Sequence, residues 1–140
     1  MAYFIAIISA VVLTGIVVTL HYEALNLIDR LTARLAYHRY RLLAIMFGLL
    51  SAHVLEIWVF AFGYMIVVEY FSIGTFAPQP QSMFDYSYYS AMVYTTVGFG
   101  DIVPREEIRM ITSAEALTGL ALITWSASYT FLRMRKVWNG

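Results

Sequence analysis

The chain has 140 residues, enough for one domain, and its formal net charge at neutral pH is zero. Hydrophobic residues make up 61% of the sequence and charged residues only 13%, which excludes an ordinary soluble domain and predicts a membrane protein. The zero net charge gives no electrostatic support for nucleic-acid binding, and the absence of cysteine excludes disulfides, thiol catalysis and cysteine-based zinc sites.

The first 41 residues divide into two parts of different composition. The segment from Ala2 to Leu20 is nearly all apolar, which predicts a first membrane-spanning helix. A cleaved signal peptide is the alternative, but no basic residue precedes the segment and no clear cleavage site follows it. From His21 to Arg41, leucine and isoleucine recur at helical spacing among arginines, which predicts an amphipathic helix along the membrane interface. An ordinary loop between spans is the alternative for this part.

A second span is expected from about Leu42 to about Phe71, long enough to tilt or to project beyond the bilayer. Residues 72–81 then carry one glycine and two prolines, which is typical of a loop. The segment from Phe84 to Thr95 predicts a short helix that begins near Ser82 or Asp85. This helix is too short to span a bilayer, so we expect it to be re-entrant.

The run TTVGFGD, residues 95–101, follows this short helix directly. Glycine adopts positive φ without a Cβ clash, so Gly98 and Gly100, alternating with Val97 and Phe99, allow successive carbonyls to point to one side. A stack of such carbonyls can replace the water around a potassium ion, and the Thr96 hydroxyl can add a further oxygen. A glycine turn between two strands is the alternative interpretation of the same residues.

Pro104 interrupts the chain before a third expected span, from about Glu106 to about Leu132, and residues 133–140 form a short tail. Arginines are concentrated in the connection between the first two spans and in this tail, which predicts that both are cytoplasmic. Carboxylates outnumber arginines in the connection that carries TTVGFGD, so this connection should face outward. Three spans with the N-terminus outside satisfy these assignments.

From Leu42 to Leu132, the two flanking spans, the short helix and the TTVGFGD loop resemble the two-transmembrane pore module of the potassium-channel family. The resemblance implies an all-α membrane fold with a pore helix and filter loop, and a homotetramer in the cell membrane. With the first span, the expected fold has three transmembrane helices. The N-terminal unit, residues 1–41, lies outside this module. The residues implied to coordinate K⁺ through their carbonyls are Thr96, Val97, Gly98 and Phe99.

The resemblance also implies supporting roles around the filter, carried by Thr95, Gly100, Asp101, Tyr88 and Tyr89. Gly119 falls near the position of the family's inner-helix hinge glycine.

Two residues depart from the pattern. Phe99 stands where many members have tyrosine and cannot donate a hydrogen bond behind the filter. Met92 stands where some bacterial members have a glutamate, so Asp101 needs another partner.

Three ionisable residues fall near the middle of the expected spans, where charges are costly and tend to be paired or functional. They are His53, Glu56 and Glu115. We predict a polar cluster behind the filter in which Glu115 braces the pore helix; a purely structural protonated glutamate is the alternative. His53 and Glu56, three residues apart, also resemble half of a metal site, but the sequence shows no further ligand at suitable spacing. A pH-sensing role of the histidine is a further hypothesis.

The sequence therefore predicts a potassium-selective channel that conducts K⁺ passively, with membrane lipids as its surroundings and no cofactor. A non-selective cation channel and a non-conducting regulatory subunit are the alternatives. An enzyme is not expected, because the sequence shows no nucleophile–base pair, phosphate loop or complete metal set.

Overall fold

The protein is described by a computed structural model that covers residues 1–33 and 38–138. Three long helices, one short helix and a two-stranded ribbon make up the described part of the chain. In chain order they are α1 Ala2–Thr32, α2 His38–Met65 with a π-helical turn at Ile66–Tyr70, β1 Thr75–Ala77, α3 Met83–Tyr94, β2 Val103–Arg105 and α4 Ile108–Trp138. The mainly helical fold predicted from the sequence is confirmed, and the small ribbon is an addition to it.

Two of the long helices have the length and apolar composition needed to cross a membrane. They are α1, with 31 residues, and the stretch Arg39–Tyr70, with 32 residues. Only 22% of the most apolar window of each helix is buried, so neither resembles the covered core helix of a soluble domain. Within the described residues α4 is as long as α1 but is not apolar enough to meet the same criterion.

The first helix continues past the boundary that the sequence predicted at His21. Its buried residues form one uninterrupted helical stripe from Ala6 to Thr32. Leu25 and Ile28, expected on an interfacial helix, pack instead against α2. The prediction of a separate helix beginning at His21 was therefore wrong, because the apolar residues after His21 stay in phase with the stripe before them. The rest of that expected helix includes residues 34–37, which lie outside the described residues.

The N-terminal helix lies against both α2 and α4. Gly63 of α2 allows α1 to approach closely, since a Cβ at Gly63 would lie 2.5 Å from a methyl carbon of Leu13 on α1. At the other end of α1, Asp29 accepts hydrogen bonds from Tyr129 and Arg133 of α4. Apolar packing along the helix and an ion pair at its end therefore join α1 to the helices on both sides of the TTVGFGD segment, residues 95–101, which is called the pore loop below.

The short helix α3 begins at a capping box. The Ser82 side chain accepts a hydrogen bond from the backbone N–H of Asp85, and the Asp85 carboxylate accepts one from the backbone N–H of Ser82. The helix predicted from Phe84 to Thr95 is confirmed to within one residue at each end. Its start was predictable because a capping box depends only on residues close in sequence.

A two-stranded antiparallel ribbon joins the two sides of the pore-loop region. Phe76 of β1 pairs with Pro104 of β2, so the expected loop at residues 72–81 returns to contact the chain just after TTVGFGD. The Phe76 ring also packs edge-on against Tyr89 of α3, with ring centroids 4.8 Å apart. The ribbon therefore packs against α3 and holds together the two ends of the segment that contains the TTVGFGD loop.

Candidate functional site

The backbone of the pore loop alternates in handedness from one residue to the next. Thr96, Gly98 and Gly100 have φ values of 60°, 57° and 79°, whereas Val97 and Phe99 between them are not in the positive region. The positive φ expected at the two glycines is confirmed. Thr96 was not expected to adopt it, and a threonine in this region stores roughly 1–3 kcal/mol of strain.

Two backbone hydrogen bonds anchor the loop to the last turn of α3. The N–H of Thr96 donates to the carbonyl of Val93, and the N–H of Gly98 donates to the carbonyl of Met92, both at 3.0 Å. The loop thus folds back onto the helix end from which it emerges. This anchoring holds the strained Thr96 backbone in place.

Every residue from Thr95 to Asp101 is exposed in the single chain. The apolar side chains of Val97 and Phe99 are 53% and 72% exposed. A Cβ added at Gly98 or Gly100 would meet no atom within 4 Å. One chain therefore supplies the loop but does not enclose it.

Asp101 has a partner that the sequence did not identify. The Tyr88 hydroxyl donates a hydrogen bond to Oδ2 of Asp101 at 2.8 Å. This bond connects the middle of α3 to the last residue of the pore loop. This hydrogen bond to the carboxylate raises the pKa of Tyr88 above its ordinary value. Tyr88 thus makes the contact that Met92 cannot make.

The Tyr89 side chain is buried on the face of α3 that packs against α4. Its hydroxyl lies 2.7 Å from the Thr112 hydroxyl of α4. A cavity of about 190 Å³ lies between these two residues and the backbone of Gly98 and Gly100. Tyr89 therefore packs at the back of the cavity and does not touch the loop through its hydroxyl.

A fully buried carboxylate, Glu56, joins three helices at the C-terminal end of α3. His53 Nδ1 lies 2.9 Å from Oε2 of Glu56, as the sequence predicted for residues one helical turn apart. His21 of α1 places its own Nδ1 2.8 Å from the other oxygen, Oε1. Tyr94, the last residue of α3, donates its hydroxyl hydrogen to Oε2. This set of four side chains is called the Glu56 cluster below.

A second buried carboxylate, Glu115, holds the same helix one turn earlier. It accepts hydrogen bonds from the hydroxyls of Ser90 on α3 and Tyr64 on α2. The predicted contact between Glu115 and the pore helix is therefore confirmed. The hydrogen bonds of Glu115 run to Ser90 and Tyr64 and not to His53 or Glu56, so its membership of one shared cluster stays a prediction.

Gly119 packs directly against the end of α3. A Cβ at this position would lie 2.1 Å from the carbonyl oxygen of Tyr94. The helix α4 is continuous through Gly119. Close approach of two backbones accounts for glycine here, and the hinge role stays a prediction.

Sequence reasoning missed His21 as a member of the site and gave no role to the Tyr94 hydroxyl or to Ser90. The one available signal for His21 was its position, since a histidine between an apolar span and an amphipathic segment needs a polar partner when buried. Nothing in the local sequence indicated which residue that partner would be.

Comparison with known families gives one match. A family model described as an ion channel matches residues 52–136, from the middle of α2 through α3 and the pore loop into the last turns of α4. The comparisons with curated proteins and with solved structures gave no match. The match leaves α1 outside the family domain. Together with the two apolar helices, it indicates a membrane location. The ion-channel family is not an enzyme family. Since the match covers more than half of the chain, the protein belongs to the two-transmembrane ion-channel family.

Proposed function

We propose that the protein is a potassium-selective channel that conducts K⁺ passively through a filter built by the TTVGFGD loop. The observation that carries this proposal is the alternating backbone of the loop, with positive φ at Thr96, Gly98 and Gly100 only. An extended strand directs successive carbonyls to opposite sides, whereas alternating handedness directs them to the same side. Rings of backbone carbonyls are the ligands that replace the hydration shell of K⁺ in selective filters.

The four residues that supply these carbonyls are Thr96, Val97, Gly98 and Phe99, and Thr96 adds its hydroxyl. The C-terminus of α3 ends at Tyr94, immediately before this run. A helix C-terminus carries a partial negative charge, which favours a cation beside it. Asp101 adds a carboxylate at the outer end of the loop.

One chain supplies one loop, so a closed ring of oxygens needs several copies. We propose a homotetramer around a fourfold axis, as the family resemblance implies. The exposed side chains of Val97 and Phe99 support an assembly, because apolar groups on a channel's central loop would otherwise face water. In this assembly α1, α2 and α4 each cross the membrane, with the N-terminus outside and the C-terminus cytoplasmic.

The test is a flux assay on purified protein in liposomes loaded with K⁺ and placed in Na⁺ solution, with a proton ionophore that lets proton uptake follow the voltage set by K⁺ efflux. Gly98→Ala should abolish the flux, because alanine is strained at φ +57° and alters the carbonyl direction. Gly15→Ala is the matched control, since Gly15 lies within α1 and an added Cβ meets no atom within 4 Å.

Barium-sensitive flux in the wild type and in Gly15→Ala, lost in Gly98→Ala, would support the proposal. Flux carried equally by Na⁺ would favour the non-selective channel. Absence of flux from intact tetramers, at every pH and lipid composition tested, would favour a non-conducting subunit.

A further inference from the structure

The Glu56 cluster contains three side chains that commonly ligate metals, and they come from two different helices. His53 and Glu56 lie one turn apart on α2, and His21 reaches them from α1. One potential ligand atom from each residue lies within 4.8 Å of the others. Glu56 and His21 are fully buried, and the His53 side chain is 15% exposed.

The two imidazoles approach the carboxylate in the same manner. Each directs its Nδ1 at a different oxygen of Glu56, at 2.8 Å for His21 and 2.9 Å for His53. The Tyr94 hydroxyl oxygen lies 3.0 Å from Nδ1 of His53 and supplies a fourth polar atom. Two nitrogens and two oxygens thus converge on one small region.

The outer edges of both imidazoles meet the same hydroxyl, that of Ser126 on α4. Its Oγ lies 3.0 Å from Nε2 of His53 and 3.4 Å from Nε2 of His21. A hydroxyl has one proton and two lone pairs, so Ser126 can accept a hydrogen bond from each ring when both Nε2 atoms carry a proton. Both neutral rings then have lone pairs on Nδ1, directed at Glu56. Histidine ligands of metals are oriented in this way, with the second ring nitrogen donating to a neighbouring acceptor.

We propose that His21, His53 and Glu56 bind one divalent transition-metal ion of the zinc class, with the Tyr94 hydroxyl beside it. Two imidazoles and a carboxylate are a donor set that Zn²⁺ accepts with one position left open. Zinc bonds of about 2.0–2.1 Å in tetrahedral geometry separate the ligand atoms by about 3.3 Å. Each Nδ1 atom and the Glu56 oxygen it faces, now 2.8 or 2.9 Å apart, would therefore move apart by about half an ångström. The ion would clamp α1 to α2 directly beside the residue that ends the pore helix.

A cavity of about 410 Å³ between α2 and α4 gives access to the cluster. His53 and Ser126 lie on its wall. The rest of its lining extends from these residues to Met46 on α2 and to Met134 on α4, away from the pore loop. In the proposed orientation this path leads toward the cytoplasmic side.

The test measures zinc binding to the full chain in detergent micelles by competition with a chromophoric chelator. The wild type should bind one Zn²⁺ per chain. His21→Gln and His53→Gln should each weaken binding by about 100-fold or more, and Ser126→Ala by about 10–100-fold, the usual loss when an outer partner is removed. His38→Gln is the control, since His38 begins α2, about 22 Å along the helix axis from His53.

A cysteine substitution identifies the ligand directly. The chain has no cysteine, so a thiolate-to-cobalt charge-transfer band in Co²⁺-loaded protein can arise only from an introduced one. His21→Cys should show this band, and His38→Cys should not. Neither readout depends on which ion the channel conducts.

The proposal is overturned if His38→Gln weakens zinc binding as much as His21→Gln does, or if folded His21→Cys shows no thiolate band. Should the substituted chains fail to fold, the Co²⁺ spectrum of the wild type decides. A tetrahedral nitrogen and oxygen spectrum supports the site, whereas an octahedral spectrum or no binding excludes it.

Discussion

Two buried carboxylates hold the same short helix in different ways. Glu56 of α2 contacts Tyr94, and Glu115 of α4 contacts Ser90, one turn earlier on α3. Both carboxylates are fully buried and both lie within the family domain. They differ in their other partners, which are two imidazoles for Glu56 and the Tyr64 hydroxyl for Glu115.

This difference teaches that depth in the membrane does not decide what a buried glutamate does. Hydroxyls can donate or accept, so the Glu115 site can adjust to either protonation state of the carboxyl group. The Glu56 site has two imidazoles and a connection to α1, which lies outside the family domain. We therefore expect Glu115 to be a local brace and Glu56 to be the point where α1 influences the pore helix.

The largest expected effect comes from removing each carboxylate. Glu56→Ala should destabilise the fold by about 3–5 kcal/mol, because it leaves two histidines and Tyr94 without their common partner. Glu115→Ala should cost about 1–3 kcal/mol, since only two hydroxyls lose a partner. Unfolding in detergent micelles, followed by circular dichroism, measures both. An equal or larger loss in Glu115→Ala would break the comparison.

Gly119→Ala tests the contact of α4 with the C-terminal end of α3. The added methyl would meet the Tyr94 carbonyl, and overpacking of this kind costs about 1–3 kcal/mol. Gly15→Ala, with no neighbour within 4 Å, should instead stabilise helix α1 by about 0.5–1 kcal/mol. The same unfolding measurement applies, and similar shifts in the two variants would contradict the close packing at Gly119.

Amide substitutions sharpen the comparison without creating cavities. Glu115→Gln should change stability by less than about 1 kcal/mol, because the Ser90 and Tyr64 hydroxyls can reorient toward an amide. Glu56→Gln should cost about 1–2 kcal/mol, since the amide group cannot match two Nδ1 atoms and a phenol at once. Identical melting curves for the two variants would show that the imidazoles beside Glu56 do not change the stability cost of the substitution.

The smallest effect is expected on the outer side of α3, where Tyr88 contacts Asp101. The pKa of Tyr88 is raised above its ordinary value of 10.0, so the contact is present below about pH 10 and is lost as the pH rises through the raised pKa. Tyr88→Phe should leave the melting temperature unchanged and alter flux by a constant factor from pH 6 to 9. A factor that varies across this pH range would contradict the raised pKa of Tyr88, because the hydroxyl would then lose its proton below pH 9.

The elements that the sequence predicted best depend on residues close together in the chain. The start of α3 follows from Ser82 and Asp85, three residues apart, and the positive φ values follow from Gly98 and Gly100. The family domain was expected from Leu42 to Leu132, and the match covers residues 52–136. Local chemistry was sufficient for the helix start and for the φ values, whereas the family domain was expected from a resemblance.

The parts that the sequence did not predict depend on how helices are rotated against one another. His21 meets Glu56 across 35 positions, and nothing near His21 indicates that partner. Rise per residue gave the depth of Glu115 but not its partners Ser90 and Tyr64, because it does not give the direction of a side chain. The ribbon of β1 and β2 has three residues per strand, too few for an alternating pattern to be visible.

The central claim, potassium selectivity, is tested most directly by the reversal potential of purified protein in a planar bilayer, with K⁺ on one side and Na⁺ on the other. We predict a reversal potential shifted strongly toward the K⁺ equilibrium potential and barium block of the current. A reversal potential near zero, with equal currents in both directions, would contradict the account and favour a non-selective pore.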